Sequence, residues 1–372
     1  MVSLLGKITN LGFLKKDGSI LGIDIGTSAV KIVQIKKKKG VVTLESYGAL
    51  ALGPYAGLGV GQSTNLPSGK IIEAIRDLMR ESDISTNIAA IAIPLKDTMI
   101  SSMSMPDVSE KQLETMVPIE ARKHIPVPMS EVALNFWVIP KEETKTIPGV
   151  KTASKDDGEV KKVIEVLIAA IHNDSISKYQ EIEKSAGLEA RLFEIEIFST
   201  MRSLIGNDTD PVMVIDIGAG VTKLAMVEYG VLRGSHIINK GSQDVSRTIA
   251  ATFGIDINKA EEAKRDPSVL GEESRKRFAE VVGLPIGHIF SEANSVLLDY
   301  QKKNNKVVSK IFFSGGGVLL PGLFDFAKDV FKVDVVMGDP FARLESPVFL
   351  DETLKSIGPE FSVAIGLALE AI

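Results

Sequence analysis

LGIDIGTSAVK, residues Leu21–Lys31, is the stretch that decides the fold. An apolar strand ends there in Asp24, Ile25 and Gly26, and small residues and a lysine follow. VIDIGAGVTK, residues Val214–Lys223, repeats the pattern about half a chain later. In both copies a lysine stands seven positions after the aspartate, and the next apolar strand begins at once. Each copy therefore predicts a β-hairpin, and the repeat predicts two duplicated domains.

The turns of both hairpins consist of small residues that suit a phosphate group. Glycine has no Cβ, so backbone N–H groups can approach a ligand closely, and hydroxyl side chains add further donors. The residues concerned are Gly26, Thr27 and Ser28 in the first hairpin and Gly218, Ala219, Gly220 and Thr222 in the second. At the strand ends, Asp24 and Asp216 are expected to hold Mg²⁺, directly or through water. One Asp-Ile-Gly alone is typical of an ordinary turn, so the prediction rests on the pair.

A third glycine-rich turn lies in IFFSGGGVLLPGL, residues Ile311–Leu323. An apolar strand runs into Gly315, Gly316 and Gly317, and a segment with helical spacing follows Pro321. Three glycines allow the backbone to lie flat against a ligand, and a helix N-terminus suits an anion or the edge of a purine ring. Alone this turn indicates only flexibility, but beside the two hairpins it predicts a contact with a nucleotide.

The composition predicts a globular protein of more than one domain. A chain of 372 residues is too long for one ordinary core, and 44% of its residues are hydrophobic while 24% are charged. The net charge of -5 gives no electrostatic footprint for nucleic acid. The chain has no cysteine, which excludes disulfides, thiolate chemistry and cysteine-ligated zinc. These features fit a cytoplasmic location.

Two other segments were considered as possible membrane contacts. The start, MVSLLGKITNLGFLKK, is mildly amphipathic and lacks the pattern of a signal peptide, so residues 1–18 are interpreted as a tail. No stretch approaches the roughly 20 apolar residues of a spanning helix. The basic run Lys36–Lys39 precedes a glycine and indicates a solvated strand end and turn, with a site for acidic lipid as the lesser alternative.

The two hairpins and the glycine-rich turn resemble the phosphate-1, phosphate-2 and adenosine motifs of the superfamily of actin, heat-shock-70 proteins and sugar kinases. The segment Asp216–Thr222 fits the usual D-x-G-x-G-x-T in full. The resemblance implies an α/β fold, the actin-like (ribonuclease H-like) two-lobed ATPase fold with duplicated mixed β-sheet domains, that closes on ATP and Mg²⁺. The segment AEEAKR is similar to the heat-shock-70 helix that embraces adenosine, which would make Glu261 and Lys264 contacts to the ligand. An exposed helix of mixed charge is the alternative for this segment.

Within the superfamily, the chain resembles the PilM family of type IV pilus assembly proteins and the related FtsA family. The similarity to PilM proteins runs through Met105–Pro140, through the following strand and helices up to Leu204, and through the final segment Phe361–Ile372. It implies the displaced small subdomain called 1C. Within that subdomain the spacing predicts a helix over Val108–His124 with Ser109 as N-cap, strands over Val132–Ile139 and Val160–Ile171, and a loop over residues 141–159.

The resemblance also implies a division into subdomains. After the tail at 1–18, subdomain 1A takes residues 19–94, 163–207 and 355–372, 1C takes 95–162, 2A takes 208–240 and 305–354, and 2B takes 241–304. FtsA proteins continue past their core with a linker and an amphipathic membrane-targeting helix, whereas this sequence ends at Ile372, inside or just after the last core helix. This favours PilM. An FtsA-like cell-division or cytoskeletal ATPase and a small-molecule kinase stay open as alternatives.

By the same resemblance, the sites can be assigned residue by residue. Asp24 and Asp216 are expected beside the metal and, with Glu196, as the catalytic residues, and Glu194 is a second candidate for orienting water. The ATP-binding set is Gly26, Thr27, Ser28, Lys31, Gly218, Ala219, Gly220, Thr222, Glu261, Lys264, Gly315, Gly316 and Gly317. Whether the protein is an enzyme is left open, and slow ATP hydrolysis is the most that we expect.

Membership of the PilM family would imply a partner. PilM proteins bind the short cytoplasmic N-terminal tail of the membrane protein PilN in a groove that involves 1C, and such a tail can bind in an extended form. Ile125, Val127 and Phe136 are candidates to line this groove, with the core as their alternative place. The pilus inner membrane platform is the wider partner, with motor ATPases as further candidates. The protein would then lie at the inner face of the membrane through its partners only.

Overall fold

The computed structural model describes residues 18–139 and 163–372, in which the chain forms the following strands and helices. The strands are β1 (Ser19–Ile25), β2 (Ala29–Lys38), β3 (Val41–Ala51), β4 (Ile88–Ile93), β5 (Thr98–Pro106), β6 (Val132–Ile139), β7 (Val163–His172), β8 (Glu189–Ile195), β9 (Val212–Ile217), β10 (Thr222–Glu228), β11 (Val231–Ile238), β12 (Lys310–Ser314) and β13 (Asp334–Met337). The helices are α1 (Ser68–Glu81), α2 (Glu110–Ala121), α3 (Asn173–Ala186), α4 (Glu196–Leu204), α5 (Ser242–Phe253), α6 (Ile257–Arg265), α7 (Glu272–Asn304), α8 (Leu323–Val330), α9 (Asp351–Ile357) and α10 (Ser362–Ala371).

Two five-stranded sheets share one topology. The first has the order β3-β2-β1-β4-β8 and the second the order β11-β10-β9-β12-β13. In each, three antiparallel strands in succession are extended by two parallel strands. The repeat in the sequence is therefore a repeat of whole mixed sheets, and the predicted duplicated α/β fold is confirmed.

The two motif hairpins have the same register. Asp24 lies opposite Lys31 in the β1–β2 ladder, and Asp216 lies opposite Lys223 in the β9–β10 ladder. The turns match as well, because the N–H of Gly26 and that of Gly218 each donate at 3.0 Å to the carbonyl oxygen three residues ahead. The spacing of seven residues is thus the spacing of a cross-strand pair around a tight turn, and both predicted hairpins are confirmed.

The first lobe consists of the first sheet with helices α1, α4 and α10. Helix α10 is buried along most of its length and packs on β1, where a Cβ at Gly22 would collide with the carbonyl oxygen of Ala364. Helix α1 buries the stripe Ile71, Ile75 and Leu78, as its helical spacing predicts. The close approach of α10 fixes β1, and therefore the position of Asp24 at its end.

The second lobe consists of the second sheet with helices α5, α6, α7 and α8. Its core contains Phe290 of α7, whose ring lies 5.8 Å from that of Phe313 and 5.2 Å from that of Phe331. Among the described helices, α7 alone is long and apolar enough to cross a membrane. Its buried apolar residues belong to the core of the second lobe, so packing inside the lobe accounts for much of its hydropathy; they are Phe278, Val281, Val282, Ile286, Ile289, Phe290, Ala293 and Leu297.

The described residues between Asp97 and Asp174 form a separate compact unit. It contains a three-stranded antiparallel sheet of order β5-β7-β6, covered on one face by α2. Helix α2 begins at a capping box in which Ser109 and Gln112 satisfy each other's backbone groups, as expected for an N-cap at Ser109. The helix ends at Ala121, earlier than the predicted His124.

Strand β7 corrects the predicted domain boundary. Residues from 163 onward were assigned to subdomain 1A, but β7 is the central strand of the small sheet and pairs with β5 and β6. An apolar run such as VIEVLIAAI fits either sheet, because the pairing partner of a strand is not encoded in its own residues. The predicted loop at 141–159 and the predicted tail, apart from Gly18, lie outside the described residues.

Candidate functional site

Three acidic side chains converge between the two lobes. Asp24 lies near the end of β1, Asp216 near the end of β9, and Glu196 is the first residue of α4. Each is at most 8% exposed. Buried carboxylates require a compensating charge or hydrogen bonds, because the loss of hydration is large. The structure thus brings together the three residues predicted as catalytic.

Lys223 supplies a compensating charge. Its Nζ lies 2.6 Å from Oε2 of Glu196 and 3.0 Å from Oδ2 of Asp216, and so links the two lobes. Burial by itself lowers the pKa of Lys223, but the charges of Asp216, Glu196 and Asp24 outweigh it and raise the pKa above its ordinary value. The ammonium group therefore stays charged inside the cluster. Sequence inspection noted this lysine as part of the repeat and assigned it no role.

Asp24 has the least compensation of the three. Burial raises its pKa from 3.8 to about 6, Lys31 and Lys223 oppose the shift, and Glu196 and Asp216 add to it. Its charged form is thus unfavourable in the absence of a further cation. A carboxylate in this condition gains from a nearby metal ion or from its hydration shell.

The two predicted phosphate turns face each other. A Cβ built on Gly220 would lie 3.4 Å from Oγ of Ser63 and 3.5 Å from Oγ1 of Thr27. Behind the second turn, the first N–H groups of α5 donate to the carbonyl oxygens of Gly218 and Ala219, at 2.9 and 3.0 Å. The turn is therefore held in place by the helix behind it.

Thr222 differs from the expectation for a phosphate ligand. Its side chain is fully buried, and its Oγ1 donates to the carbonyl oxygen of Lys240 at 2.9 Å. The hydroxyl thus fixes the start of β10 to the segment before α5. The predicted contact of Thr222 with phosphate stays a prediction, but the structure gives the hydroxyl a partner within the protein.

A segment after β3 crosses from the first lobe to the second. The Nε2 of Gln62 donates to Oδ1 of Asn258 at 2.8 Å, and the N–H of Ser63 donates to Oε1 of Gln243 at 2.9 Å. The same segment is tied to the first phosphate turn, because both the N–H and Oγ1 of Thr64 donate to the carbonyl oxygen of Thr27, at 2.8 and 3.0 Å. We call residues 59–64 the crossing segment. Sequence reasoning missed it, since polar residues in a loop give no sign of their partners.

Glu261 and Lys264 form a buried pair on α6. Nζ of Lys264 lies 2.8 Å from Oε2 of Glu261, and the hydroxyl of Ser246 donates to the same carboxylate. Burial lowers the pKa of Lys264, and Glu261 opposes that effect. Gly61 of the crossing segment, at φ +89°, lies against Glu261 and Arg265. The alternative of an exposed mixed-charge helix is therefore wrong for these two residues, and their contact with adenosine stays a prediction.

The three glycines after β12 lie beside Asp216. Gly315 has φ +85°, its N–H donates to the carbonyl oxygen of Pro359 at 2.8 Å, and a Cβ there would collide with Oδ1 of Asp216. Gly317 packs against Ile217 in the same way, whereas Gly316 is exposed. Two of the glycines thus allow the turn to pass close to the end of β9. The contact of the three glycines with a nucleotide stays a prediction.

Glu194 has a structural role in the first lobe. Its carboxylate is bound by Nη2 of Arg202 at 2.7 Å and accepts from the hydroxyl of Ser199. Of the two candidates for orienting water, only Glu196 belongs to the acidic cluster. Oε1 of Glu196 accepts from the N–H of Leu95 at 2.7 Å, which fixes the side chain.

The acidic cluster does not have the arrangement of a site that binds a metal ion through protein side chains alone. Within residues 18–139 and 163–372, no group of three or more histidine, cysteine or acidic residues is placed to hold a metal ion by itself. Asp24 fits a hydrated Mg²⁺ that is held by phosphate oxygens as well, because its charge lacks compensation. Asp216 and Glu196 fit a direct metal contact less well, since Lys223 already lies between them.

Comparison with known proteins gives consistent results. The family model described as type IV pilus assembly protein PilM matches residues 22–372. The cell division protein FtsA of Neisseria meningitidis is 24% identical over 93% of this chain and 88% of its own length. FtsA of Escherichia coli K12 is 23% identical over 94% and 89%.

Solved structures support the same fold. The PilM-PilN type IV pilus biogenesis complex superposes with a TM-score of 0.77 at 23% identity, covering 95% of this chain and 98% of that one. The ethanolamine utilization protein EutJ from Carboxydothermus hydrogenoformans superposes with a TM-score of 0.57 at 16% identity, covering 95% and 90%. The fold is the actin-like α/β fold, as expected. Since the family model spans nearly the whole chain, this protein belongs to the PilM family of type IV pilus assembly proteins.

Proposed function

We propose that this protein is a nucleotide-gated scaffold of type IV pilus assembly, which binds ATP between its two lobes and presents a docking surface to a membrane partner. One observation carries the proposal: two hairpin turns of matching register, one from each lobe, meet at a buried cluster of Asp24, Asp216 and Glu196. Buried negative charge beside glycine-rich turns is otherwise unfavourable for folding, so it indicates a ligand.

The phosphates would lie between the two turns. The backbone of Gly26, Thr27 and Ser28 would hold them from the first lobe, with the charge of Lys31 nearby, and Gly218, Ala219 and Gly220 from the second. Adenosine would contact exposed Gly316 and the buried pair of Glu261 and Lys264. Thr222 would act by fixing the second turn, because its hydroxyl is bound to Lys240.

Mg²⁺ would be held by Asp24 through water and by the phosphates. The ion would supply positive charge at the phosphates and would relieve the unfavourable charge of Asp24. Asp216 would add negative charge to the site, while one of its carboxylate oxygens is bound to Lys223.

Turnover of ATP would be slow at most. Glu196 is the residue placed to orient an attacking water, but one of its oxygens accepts from Leu95 and the other binds Lys223. A carboxylate that has two partners already is a poor general base. The protein therefore resembles a switch that is set by bound nucleotide more than a metabolic enzyme.

The crossing segment supports the proposal that bound nucleotide controls the closing of the two lobes. It bonds to Thr27 in the first phosphate turn and to Gln243 and Asn258 in the second lobe. A ligand that holds both turns would favour these bonds, and its loss would favour their opening. Nucleotide would in this way shift the protein between a closed and an open arrangement of its lobes.

The proposed partner is the cytoplasmic N-terminal tail of PilN. The similar PilM in the solved complex is bound to PilN, which supports this partner. In the compact unit of residues 97–174, β5 and β6 are the edge strands of the described sheet, and an extended peptide can pair with such an edge. Ile125 is buried in the core of this unit, while Val127 and Phe136 are partly buried against it. Val138 on β6 is 45% exposed and is the more accessible apolar side chain.

Through that tail the protein would lie at the cytoplasmic face of the inner membrane, within the pilus inner membrane platform. Motor ATPases of the pilus are further candidate partners. No feature of the described residues points to nucleic acid, and the net charge of the chain is -5.

The test is titration of the full chain with the N-terminal PilN peptide of the same organism, with and without Mg-ATP. We expect saturable binding that depends on nucleotide, and weaker binding for Val138→Glu. Val307→Glu is the matched control, because Val307 is 76% exposed in the second lobe. Nucleotide-dependent light scattering without peptide binding would favour an FtsA-like filament, and phosphorylation of a small molecule would favour a kinase.

A further inference from the structure

We propose that the ammonium group of Lys223 is a built-in cation of the nucleotide site. It occupies the place between Asp216 and Glu196 where a metal ion would otherwise bind both carboxylates. This inference rests on the proposed nucleotide site. It goes further in assigning a role to a residue that neither the motifs nor the family assigned.

The position of the Lys223 ammonium group between two carboxylates supports this role. The ammonium nitrogen lies 2.6 Å from Glu196 Oε2 and 3.0 Å from Asp216 Oδ2, and its side chain is 14% exposed. A divalent ion bridging these two oxygens would need the same place. Mg²⁺ also demands six oxygen ligands in a strict octahedron, which a lysine nitrogen between the carboxylates prevents. Of the three carboxylates, only Asp24 is therefore left to interact with a metal ion, directly or through water.

The hairpin repeat shows why two equivalent lysines have different roles. Lys31 and Lys223 occupy the same register position, each opposite its own aspartate. Lys223 is ion-paired to carboxylates of both lobes. Within the described residues, Lys31 has no ion pair and acts on Asp24 through its charge. The difference arises from α4, which places Glu196 beside the second hairpin.

A fixed ammonium has two consequences for the site. It neutralises part of the buried negative charge whether or not metal is present, so the closed arrangement does not require a divalent ion for its stability. It also keeps a carboxylate oxygen of Glu196 occupied, which restrains hydrolysis. Nucleotide binding should then depend on Mg²⁺ less than in a site that has only carboxylates.

The first experiment compares thermal unfolding of the nucleotide-free full chain in EDTA and in MgCl₂ or MnCl₂. We expect the wild type and Lys223→Arg to unfold at the same temperature in both solutions. Lys223→Gln should unfold about 5 °C or more lower in EDTA, because two buried carboxylates lose their partner, and metal should restore part of the loss. Lys302→Gln, at an exposed position on α7, is the control and should gain no response to metal.

Two results would overturn the proposal: stabilisation of the wild type by metal as large as that of Lys223→Gln, or a Lys223→Gln variant that does not respond to metal. A merely structural lysine would lower the unfolding temperature without creating a metal response. If Lys223→Gln does not fold, the electron paramagnetic resonance of Mn²⁺ is measured for nucleotide-free wild type and Asp24→Asn. Mn²⁺ that stays bound without the Asp24 carboxylate contradicts a place already filled by lysine.

A second experiment separates this inference from the proposed function. Affinity for a fluorescent ATP analogue is measured with Mg²⁺ and in EDTA. Wild type should lose less affinity in EDTA than Lys223→Gln, with a difference of about tenfold. Equal losses would contradict the role of Lys223. Wild type that binds no nucleotide in either solution would contradict the proposed function, and the metal titration would still decide on Lys223.

Discussion

The backbone N–H of Ser63 donates to Oε1 of Gln243 across 2.9 Å, and this bond joins the crossing segment of the first lobe to the first turn of α5 in the second. Gln243 is 6% exposed, and the N–H of its own backbone bonds to Ala219 in the second phosphate turn. One residue thus contacts both the proposed phosphate site and the segment that spans the lobes.

Replacement of Gln243 by alanine should loosen the closed arrangement. The loss of one buried hydrogen bond costs about 1 kcal/mol of stability, and we expect ATP affinity to fall about fivefold or more. Amide hydrogen exchange should rise in residues 59–64 specifically. Gln180→Ala, at an exposed position on α3, is the control and should change neither quantity. Unchanged exchange in residues 59–64 would refute the proposed link.

Gly315→Ala should be strongly destabilising. Gly315 has φ +85° and ψ 161°, a region that only glycine enters readily, and a Cβ there would lie 2.5 Å from the carbonyl oxygen of Ile217 and collide with Asp216. We expect a loss of about 3 kcal/mol in the free energy of unfolding.

Gly322→Ala is the matched control for Gly315→Ala. Its φ is +79°, but no atom lies within 4 Å of the added Cβ. It should lose about 1 kcal/mol, the backbone component alone. Urea denaturation measures both variants. Equal losses of unfolding free energy in the two variants would mean that the contact with Asp216 does not affect stability.

Gly220→Ala should affect ligand binding without affecting the fold. The added Cβ would stand 3.4 Å from Ser63 and 3.5 Å from Thr27, which is tolerable in the free protein but fills space between the turns. We expect the same urea midpoint as in wild type, together with a loss of ATP affinity of about tenfold or more. Gly283→Ala, in open space on α7, is the control. Full retention of ATP affinity would place the phosphates elsewhere.

Asp24→Asn should change how stability depends on pH. The pKa of Asp24 is raised from 3.8 to about 6 in the folded protein, so between these values the folded state binds more protons than the unfolded state. Stability of the wild type therefore falls as pH rises through this window, by about 3 kcal/mol from this group when one pKa unit is worth about 1.4 kcal/mol.

The asparagine variant lacks this contribution. Measured in EDTA without nucleotide, its advantage over wild type should grow between pH 4 and pH 7, while its affinity for Mg-ATP should fall. Asp329→Asn, at an exposed position on α8, serves as the control and should show no such growth. A constant difference across the pH range would mean that Asp24 is charged in the folded protein without penalty.

Local features of the fold were predictable because they depend on local chemistry. The two hairpins follow from Asp-Ile-Gly, small residues and a second apolar strand, and the start of α2 follows from Ser109 and Gln112. The membership of the family follows from similarity over most of the chain. The three residues of the acidic cluster, Asp24, Asp216 and Glu196, had each been singled out in the sequence, the first two from the repeat and the third from its position near the start of a helix. Their catalytic role stays a prediction.

The place of β7 was not predictable in the same way. Its apolar residues fit a buried strand in any sheet, and only pairing with β5 and β6 decides which. The crossing segment gave no signal either, because Gln62 and Ser63 find partners 196 and 180 residues away.

The sequence by itself thus determined the duplicated hairpins, the small residues of their turns and the spacing that sets each lysine opposite its aspartate. Tertiary structure alone decided that Lys223 reaches Glu196, that Thr222 donates to Lys240 and that Gly315 is needed beside Asp216. The physical reason is range: backbone conformation and cross-strand register depend on neighbours in sequence, whereas the pairing of buried charges depends on which helix and sheet pack together.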